Sequence, residues 1–154
     1  VKDYENEELI EKLCDIITQR EVGDNTFLFD LCVEDLEAIK ILYPRCRLGV
    51  SVGEKRYSPT VYTASEVEPY LKFVDIIWAD EWNQPLYEED FVMYYKKLNK
   101  EVYAVSPELH SQEGHPSASR PRESWERIRG LGFDGICTDF PQKALTFFNR
   151  PVAK

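Results

Sequence analysis

Two short segments, Glu101-Val-Tyr-Ala-Val-Ser-Pro-Glu-Leu-His110 and Gly132-Phe-Asp-Gly-Ile-Cys-Thr-Asp-Phe-Pro141, decide the fold of this chain. Each contains an apolar run typical of a buried β-strand and ends at polar residues. The stretch between them, residues 122–131, has the apolar spacing of a helix. A strand, a crossover helix and a second strand form a βαβ unit, in which both strands run in the same direction. The polar strand ends then lie at one edge of the sheet, where α/β proteins bind ligands.

The same alternation of strand and helix recurs along the whole chain. Apolar runs begin near residues 26, 47, 74, 101 and 135, with helical patterns between them. Nearly continuous apolar runs are typical of strands that are covered on both faces, as in a parallel sheet. Two architectures satisfy this pattern, an open doubly wound sheet or part of a (β/α)8 barrel.

Length and glycine spacing favour the barrel. No Gly-x-Gly-x-x-Gly follows any strand, so the nucleotide-binding open sheet loses its main support. A complete (β/α)8 barrel takes about 250 residues. The 154 residues therefore fit part of a barrel, and we predict that residues 1–154 form a single domain.

Composition excludes some classes of partner. The net charge is -9 at pH 7, which argues against nucleic acid, because binding to the phosphate backbone needs a basic surface. No run of apolar residues is long enough for a transmembrane segment. None of the four cysteines forms a C-x-x-C pair, so we expect buried thiols in a reducing, cytoplasmic setting.

The second quoted segment resembles the last strand of the glycerophosphodiester phosphodiesterase family, whose pattern there is roughly Gly-x-Asp-Gly-apolar-x-Thr-Asp-x-Pro. The chain's first residues, Val1 and Lys2 followed by an acidic helix, resemble the end of that family's Glu-x-Lys strand. The resemblance implies a TIM-type (β/α)8 barrel of which about the last five βα units are present. Because a sheet cut from a barrel exposes two edges, an N-terminal segment or a second chain is expected to close it.

The resemblance also implies an activity, namely metal-assisted hydrolysis of a glycerophosphodiester or a related lipid-headgroup phosphodiester. The expected cofactor is a divalent metal, Mg or Ca, with its main ligands upstream of Val1. Lys2 is the implied catalytic residue, since a lysine at a strand end can neutralise phosphate charge. The expected partner is a small-molecule or lipid-derived phosphodiester.

Several family motifs have no counterpart in this chain. They are the His-Arg-Gly opening, the Glu-x-Asp metal pair and the second catalytic histidine. The seventh strand of many members carries Trp-Thr-x-Asn, whereas this chain reads Tyr103-Ala-Val-Ser-Pro-Glu-Leu-His110. The alternative function is therefore a non-catalytic barrel fragment or degenerate homologue that acts as a binding or structural module.

Polar and aromatic residues after the predicted strands are the candidate substrate contacts. Asp80 and Glu81 follow an apolar strand and either bind a metal or hydroxyl groups, or cap a helix in solvent. Trp82 is suited to stack on a glycerol or sugar face as a pocket wall. The predicted substrate-binding residues are Asp80, Trp82, Tyr103, Glu108 and His110.

Glu108 and His110 form a predicted pair. If the segment is extended, residues two apart point the same way. A carboxylate beside an imidazole fixes its tautomer and raises its basicity. The alternative for His110 is an ordinary surface histidine on a loop.

Overall fold

Helices and strands alternate in the computed structural model, which describes residues 7–54 and 58–149. The helices are α1 (Glu7–Gln19), α2 (Leu36–Leu42), α3 (Ala64–Val67), α4 (Glu89–Lys97), α5 (Pro121–Leu131) and α6 (Pro141–Phe147). The strands are β1 (Phe27–Leu28), β2 (Arg47–Gly53), β3 (Val61–Tyr62), β4 (Ile76–Asp80), β5 (Glu101–Val105) and β6 (Gly135–Cys137). Short 3-10 helices cover Gly23–Asn25, Val33–Asp35, Glu68–Phe73 and Pro107–His110.

The main sheet has the strand order β1-β2-β4-β5-β6, and every pairing is parallel. Ile76 lies opposite Glu101, and Tyr103 lies opposite Gly135. The predicted parallel strands in sequential order are therefore confirmed. The connection between each pair of successive main strands contains a helix, as a parallel crossover requires.

Strand β3 was not predicted, and β1 is shorter than the apolar run that begins at residue 26. The first strand pairs with Arg47 and Leu48, whereas β3 pairs with Ser51 and Val52 further along β2. Strands β1 and β3 therefore pair with successive parts of the same edge of β2. The chain leaves β1 near Asp30, whose φ of 58 lies in the left-handed region.

The sheet is curled, and aromatic rings fill its concave face. The rings of Phe27 on β1 and Tyr103 on β5 lie 6.0 Å apart, although β2 and β4 run between those strands. In a flat sheet this separation is about 14 Å. Phe29 stacks on Trp78 with 4.9 Å between ring centroids. The result is a half-barrel, consistent with part of a barrel.

Local sequence signals set the helix ends. Thr63 and Glu66 form a capping box, with the Thr63 amide donating to the Glu66 carboxylate at 2.8 Å. Pro121 and Pro141 each stand in the first turn of a helix, where the missing amide hydrogen costs nothing. Gly132 ends α5 in the left-handed conformation, at φ 75.

The convex face of the sheet packs against helices. Its main cluster joins strand residues Leu48, Val50, Ile77 and Val102 to helix residues Cys14, Leu36, Val67 and Tyr95. Cys14 and Cys46 are buried as expected, while Cys32 and Cys137 are half-buried. Among the described residues, no helix has the length and apolar character needed to cross a bilayer.

Candidate functional site

The carboxyl ends of the parallel strands bring polar residues to one edge of the half-barrel. We call this edge the mouth and define it by the residues that end or follow β2, β4, β5 and β6. Gly53 lies opposite Asp80, and Val105 lies opposite Cys137, so the four strands end nearly level. The sequence prediction that post-strand residues share one edge is therefore met by the topology.

An ion pair between Asp80 and His110 lies at the mouth. The Nε2 atom of His110 is 3.0 Å from Oδ1 and 3.1 Å from Oδ2 of Asp80. Both side chains are largely buried, with exposed fractions of 19% for His110 and 15% for Asp80. Asp80 ends β4, and His110 ends the 3-10 helix after β5, so the pair joins two neighbouring units.

The environment favours the charged form of His110. The hydrogen bond to Asp80 raises the pKa of His110 above its ordinary value of 6.5. Partial burial lowers that pKa, and the negative charges of Asp80 and Glu113 raise it. The pair therefore places a positive imidazolium at the mouth over a wider pH range than a free histidine provides.

Trp82 lies against two histidines. Its ring centroid is 5.2 Å from that of His110 and 4.6 Å from that of His115. Trp82 is buried, with an exposed fraction of 8%. The ring thus supports the imidazoles of the β5–α5 connection, and the predicted role of Trp82 as a substrate-stacking wall stays a prediction.

His115 is held as the neutral tautomer with its hydrogen on Nε2. Its Nδ1 accepts from the Ser117 amide at 3.0 Å, which leaves Nε2 to donate to the Glu81 carbonyl at 3.1 Å. His115 is 8% exposed. It therefore fastens the β5–α5 connection to the end of β4, and sequence reasoning missed this because His115 lies in a loop without periodicity.

Glu81 organises the loop after β4. Its Oε2 accepts from the amides of Leu86 and Tyr87 at 2.7 and 2.8 Å. Its Oε1 accepts from the Arg127 guanidinium at 2.7 Å. These contacts connect the β4–α4 loop to α5. They also occupy the carboxylate that was predicted to bind a metal or hydroxyl groups.

A second carboxylate, which the sequence did not single out, holds the same loop. Glu54, just after β2, accepts from the amides of Asn83 and Gln84, both at 2.7 Å. Two successive amides converging on one carboxylate form a backbone anion site. No sequence signal identifies Glu54, because its partners are backbone amides from a distant loop.

Glu108 is buried beneath the mouth and does not pair with His110. Its exposed fraction is 4%. It accepts short hydrogen bonds from the hydroxyls of Ser106 and Thr138. The indole of Trp125 donates to Ser106 Oγ at 2.7 Å. This network ties the ends of β5 and β6 to α5.

The predicted pairing of His110 with Glu108 is wrong because the segment is not extended. Pro107–His110 forms a 3-10 helix, which rotates residues two apart onto different sides. The carboxylate that fixes His110 is Asp80 instead. The substrate-binding role predicted for Glu108 remains untested, although both of its oxygens already accept hydrogen bonds within the chain.

Tyr103 lies away from the mouth. Its hydroxyl donates to Glu101 Oε2 at 2.9 Å, and Glu101 opens β5 and pairs with Arg47 at 2.7 Å. Its ring belongs to the concave aromatic face, 5.4 Å from Trp78. Tyr103 therefore points to the amino-terminal end of the half-barrel, and its predicted contact with substrate stays a prediction.

The described part of the structure does not test the predictions for Lys2 and for the metal site. Lys2 lies outside the described residues. Within residues 7–54 and 58–149, no three His, Cys, Asp or Glu side chains come together in a group that could hold a metal ion. Asp139, which follows β6, is exposed, and Phe140 occupies the N-cap position of α6 without a side-chain hydrogen bond.

No family model, curated protein or solved structure matches this chain.

Proposed function

We propose that this chain forms the C-terminal part of a TIM-type (β/α)8 barrel that hydrolyses a glycerophosphodiester or a related lipid-headgroup phosphodiester. The parallel half-barrel and the Gly132-to-Pro141 motif at β6 support the proposal. The observation that carries it is the Asp80–His110 pair, which lies at the edge where barrel enzymes place their reacting groups.

The pair suits an anionic substrate. Water attacks phosphorus, the bond from phosphorus to the headgroup oxygen breaks, and a phosphomonoester and an alcohol leave. The His110 imidazolium supplies positive charge at the mouth for the phosphoryl oxygens, and Asp80 stabilises that charge. Trp82 and Asp80 hold the imidazole in place, so the charge is positioned before substrate arrives.

The proposal includes a divalent metal, Mg or Ca, whose main ligands are expected upstream of Val1. The described side chains do not form a metal site by themselves. We therefore assign no step of the reaction to the metal from this structure. Lys2 is proposed to neutralise phosphate charge, while Trp82 and Glu108 are proposed to influence the choice of headgroup.

The test is the hydrolysis of glycerophosphocholine and glycerophosphoethanolamine by the natural polypeptide that contains these residues. We expect release of glycerol 3-phosphate that a chelator abolishes. Lys2→Ala should lower kcat about a hundredfold with little change in KM, because a charge clamp acts most strongly as phosphoryl charge develops. Trp82→Ala should change the two substrates unequally.

A surface variant supplies the control. Glu123→Gln removes an exposed carboxylate in the first turn of α5, where it pairs with Arg120, and should leave the turnover of both substrates unchanged. Absence of hydrolysis with either substrate and either metal would favour the alternative, a binding or structural module. Unchanged turnover in Lys2→Ala would show that Lys2 has another role.

A further inference from the structure

A groove with three cations runs along the outside of α5 and α6. It encloses about 1090 Å³ and lies between the two helices. We call it the basic groove and define it by Arg122, Arg129, Lys143, Phe140 and Phe147, all of which line it. None of these residues belongs to the Asp80–His110 site.

The three cations of the basic groove differ from the neighbouring arginines in their partners. Among the described residues, no ion pair involves Arg122, Arg129 or Lys143, whereas Arg120 and Arg127 both pair with carboxylates. Positive charge gathered in one groove contrasts with the net charge of -9 for the chain. Glu126 also lines the groove, so three cations face one carboxylate and the groove keeps a net positive charge.

Each cation lies over an aromatic ring. The guanidinium carbons of Arg122 and Arg129 are 5.6 and 4.8 Å from the ring centroid of Phe147. The Lys143 ammonium is 4.4 Å from the ring centroid of Phe140, which is 39% exposed. A guanidinium stacked by its face keeps its N–H donors at its edge for a phosphate group.

The spacing of the cations points to a surface rather than a single small anion. Arg122 and Arg129 are two helical turns apart, which is about 10.5 Å along α5. Both guanidinium groups lie on the Phe147 ring, whereas Lys143 comes from a different helix and lies on Phe140, so the three cations are spread over two helices. A bilayer offers many phosphate groups, and an exposed phenylalanine beside a lysine suits its headgroup region.

We propose that the basic groove docks this protein on an anionic lipid surface, through phosphate contacts from Arg122, Arg129 and Lys143 and partial insertion of Phe140. The inference goes beyond the proposed hydrolysis and does not require it. Each basic side chain near an anionic bilayer strengthens binding about fivefold.

The test is co-sedimentation of the full chain with phosphatidylcholine vesicles, with or without phosphatidylglycerol, at about 0.1 M salt. We expect binding only to the vesicles that contain phosphatidylglycerol. The double variant Arg129→Gln/Lys143→Gln should bind about 25-fold more weakly. The matched control Lys12→Gln/Arg45→Gln removes the same charge from surface residues outside the groove, and its vesicle binding should weaken much less. Circular dichroism melts verify that each variant is folded.

Three results would overturn the proposal. The first is failure to bind anionic vesicles, and the second is equal binding to neutral vesicles. The third is an equal loss of vesicle binding in the control variant, which would show that binding depends on the total charge of the protein and not on the groove. A competition arm separates the sources of phosphate. If inorganic phosphate displaces the vesicles while chloride of equal ionic strength does not, the groove is a site for free phosphate and the lipid proposal fails.

Discussion

His110 reaches from the 3-10 helix after β5 to the last residue of β4, where its Nε2 lies 3.0 Å from Asp80 Oδ1. The contact crosses between adjacent parallel strands and fastens the β5–α5 connection to the rim of its neighbour. A second fastening, from His115 to the Glu81 carbonyl, lies beside it. The geometry of the mouth therefore depends on two histidines of one loop.

Replacing Asp80 should change the titration of His110. The Asp80 hydrogen bond is the largest cause of the raised pKa of His110, and burial opposes it. In Asp80→Asn we expect the pKa of His110 to fall to its ordinary value of 6.5 or below. A proton NMR titration measures this, with His115→Gln used to assign the signals. An unchanged pKa would mean that the ion pair does not form in solution.

The same ion pair should make stability depend on pH. Because the folded pKa of His110 is raised, its contribution is fully present below the unfolded value of 6.5 and is lost as pH rises through the folded pKa. Urea unfolding at about pH 6 and about pH 8 should show a lower free energy of unfolding for the wild type at the higher pH. Asp80→Asn should lose less over the same range.

Removal of the hydroxyl group should have different effects on stability at two buried tyrosines. Tyr95 is 1% exposed, and its hydroxyl has no hydrogen-bond partner among the described residues. Tyr95→Phe should leave stability unchanged or raise it by about 1 kcal/mol. Tyr87 donates to the Val105 carbonyl, so Tyr87→Phe should cost about 1–2 kcal/mol. Denaturant melts compare the two, and a larger loss for Tyr95→Phe would contradict the structure.

Substitution by alanine should have opposite effects on stability at two glycines. A Cβ at Gly53 would lie 2.4 Å from the Asp80 carbonyl oxygen, so Gly53→Ala should cost about 2–3 kcal/mol and disturb the mouth. Gly130 lies within α5, and a Cβ at this position would meet nothing within 4 Å, so Gly130→Ala should stabilise the helix by about 1 kcal/mol. Thermal unfolding of both variants gives the comparison. Equal effects would contradict the close approach of β2 and β4.

The hydroxyl of Thr138 should matter more than its methyl group. It donates to Glu108 and accepts from the Phe140 amide at 3.1 Å. Thr138→Val keeps the shape and removes both hydrogen bonds, which should cost about 1–2 kcal/mol. Thr138→Ser keeps the hydroxyl and serves as the control. A smaller loss for Thr138→Val than for Thr138→Ser would show that packing dominates at this position.

The arrangement of the sheet could be predicted from the sequence because apolar runs and crossover helices leave few topologies. Strand β3 was missed because Val61 and Tyr62 form only two residues of strand, and their pairing depends on β2. The predicted strand from residue 26 contains only Phe27–Leu28 as strand, since the backbone turns at Asp30. Such tertiary effects override local pattern.

The site was predictable in its location but not in its contacts. Parallel strands deliver Asp80 and the residues after β5 to one edge, which pattern alone indicates. The partner of His110 depends on the 3-10 turn after Pro107, which no periodicity reveals. The buried network around Glu108 depends on Trp125 and Thr138, which come from later in the chain.

The contact between Phe27 and Tyr103 has a consequence for the order of folding. These residues come from opposite parts of the chain, and parallel pairing gives no short hairpin that could bring them together. Loop-closure entropy must be overcome for each crossover before the two rings can meet. Neighbouring strands can therefore pair early, while the curvature of the sheet becomes fixed late. We expect a refolding phase monitored by tryptophan fluorescence to follow most of the gain in helix signal, because one of the three tryptophans, Trp78, packs 5.7 Å from Phe27 and 5.4 Å from Tyr103.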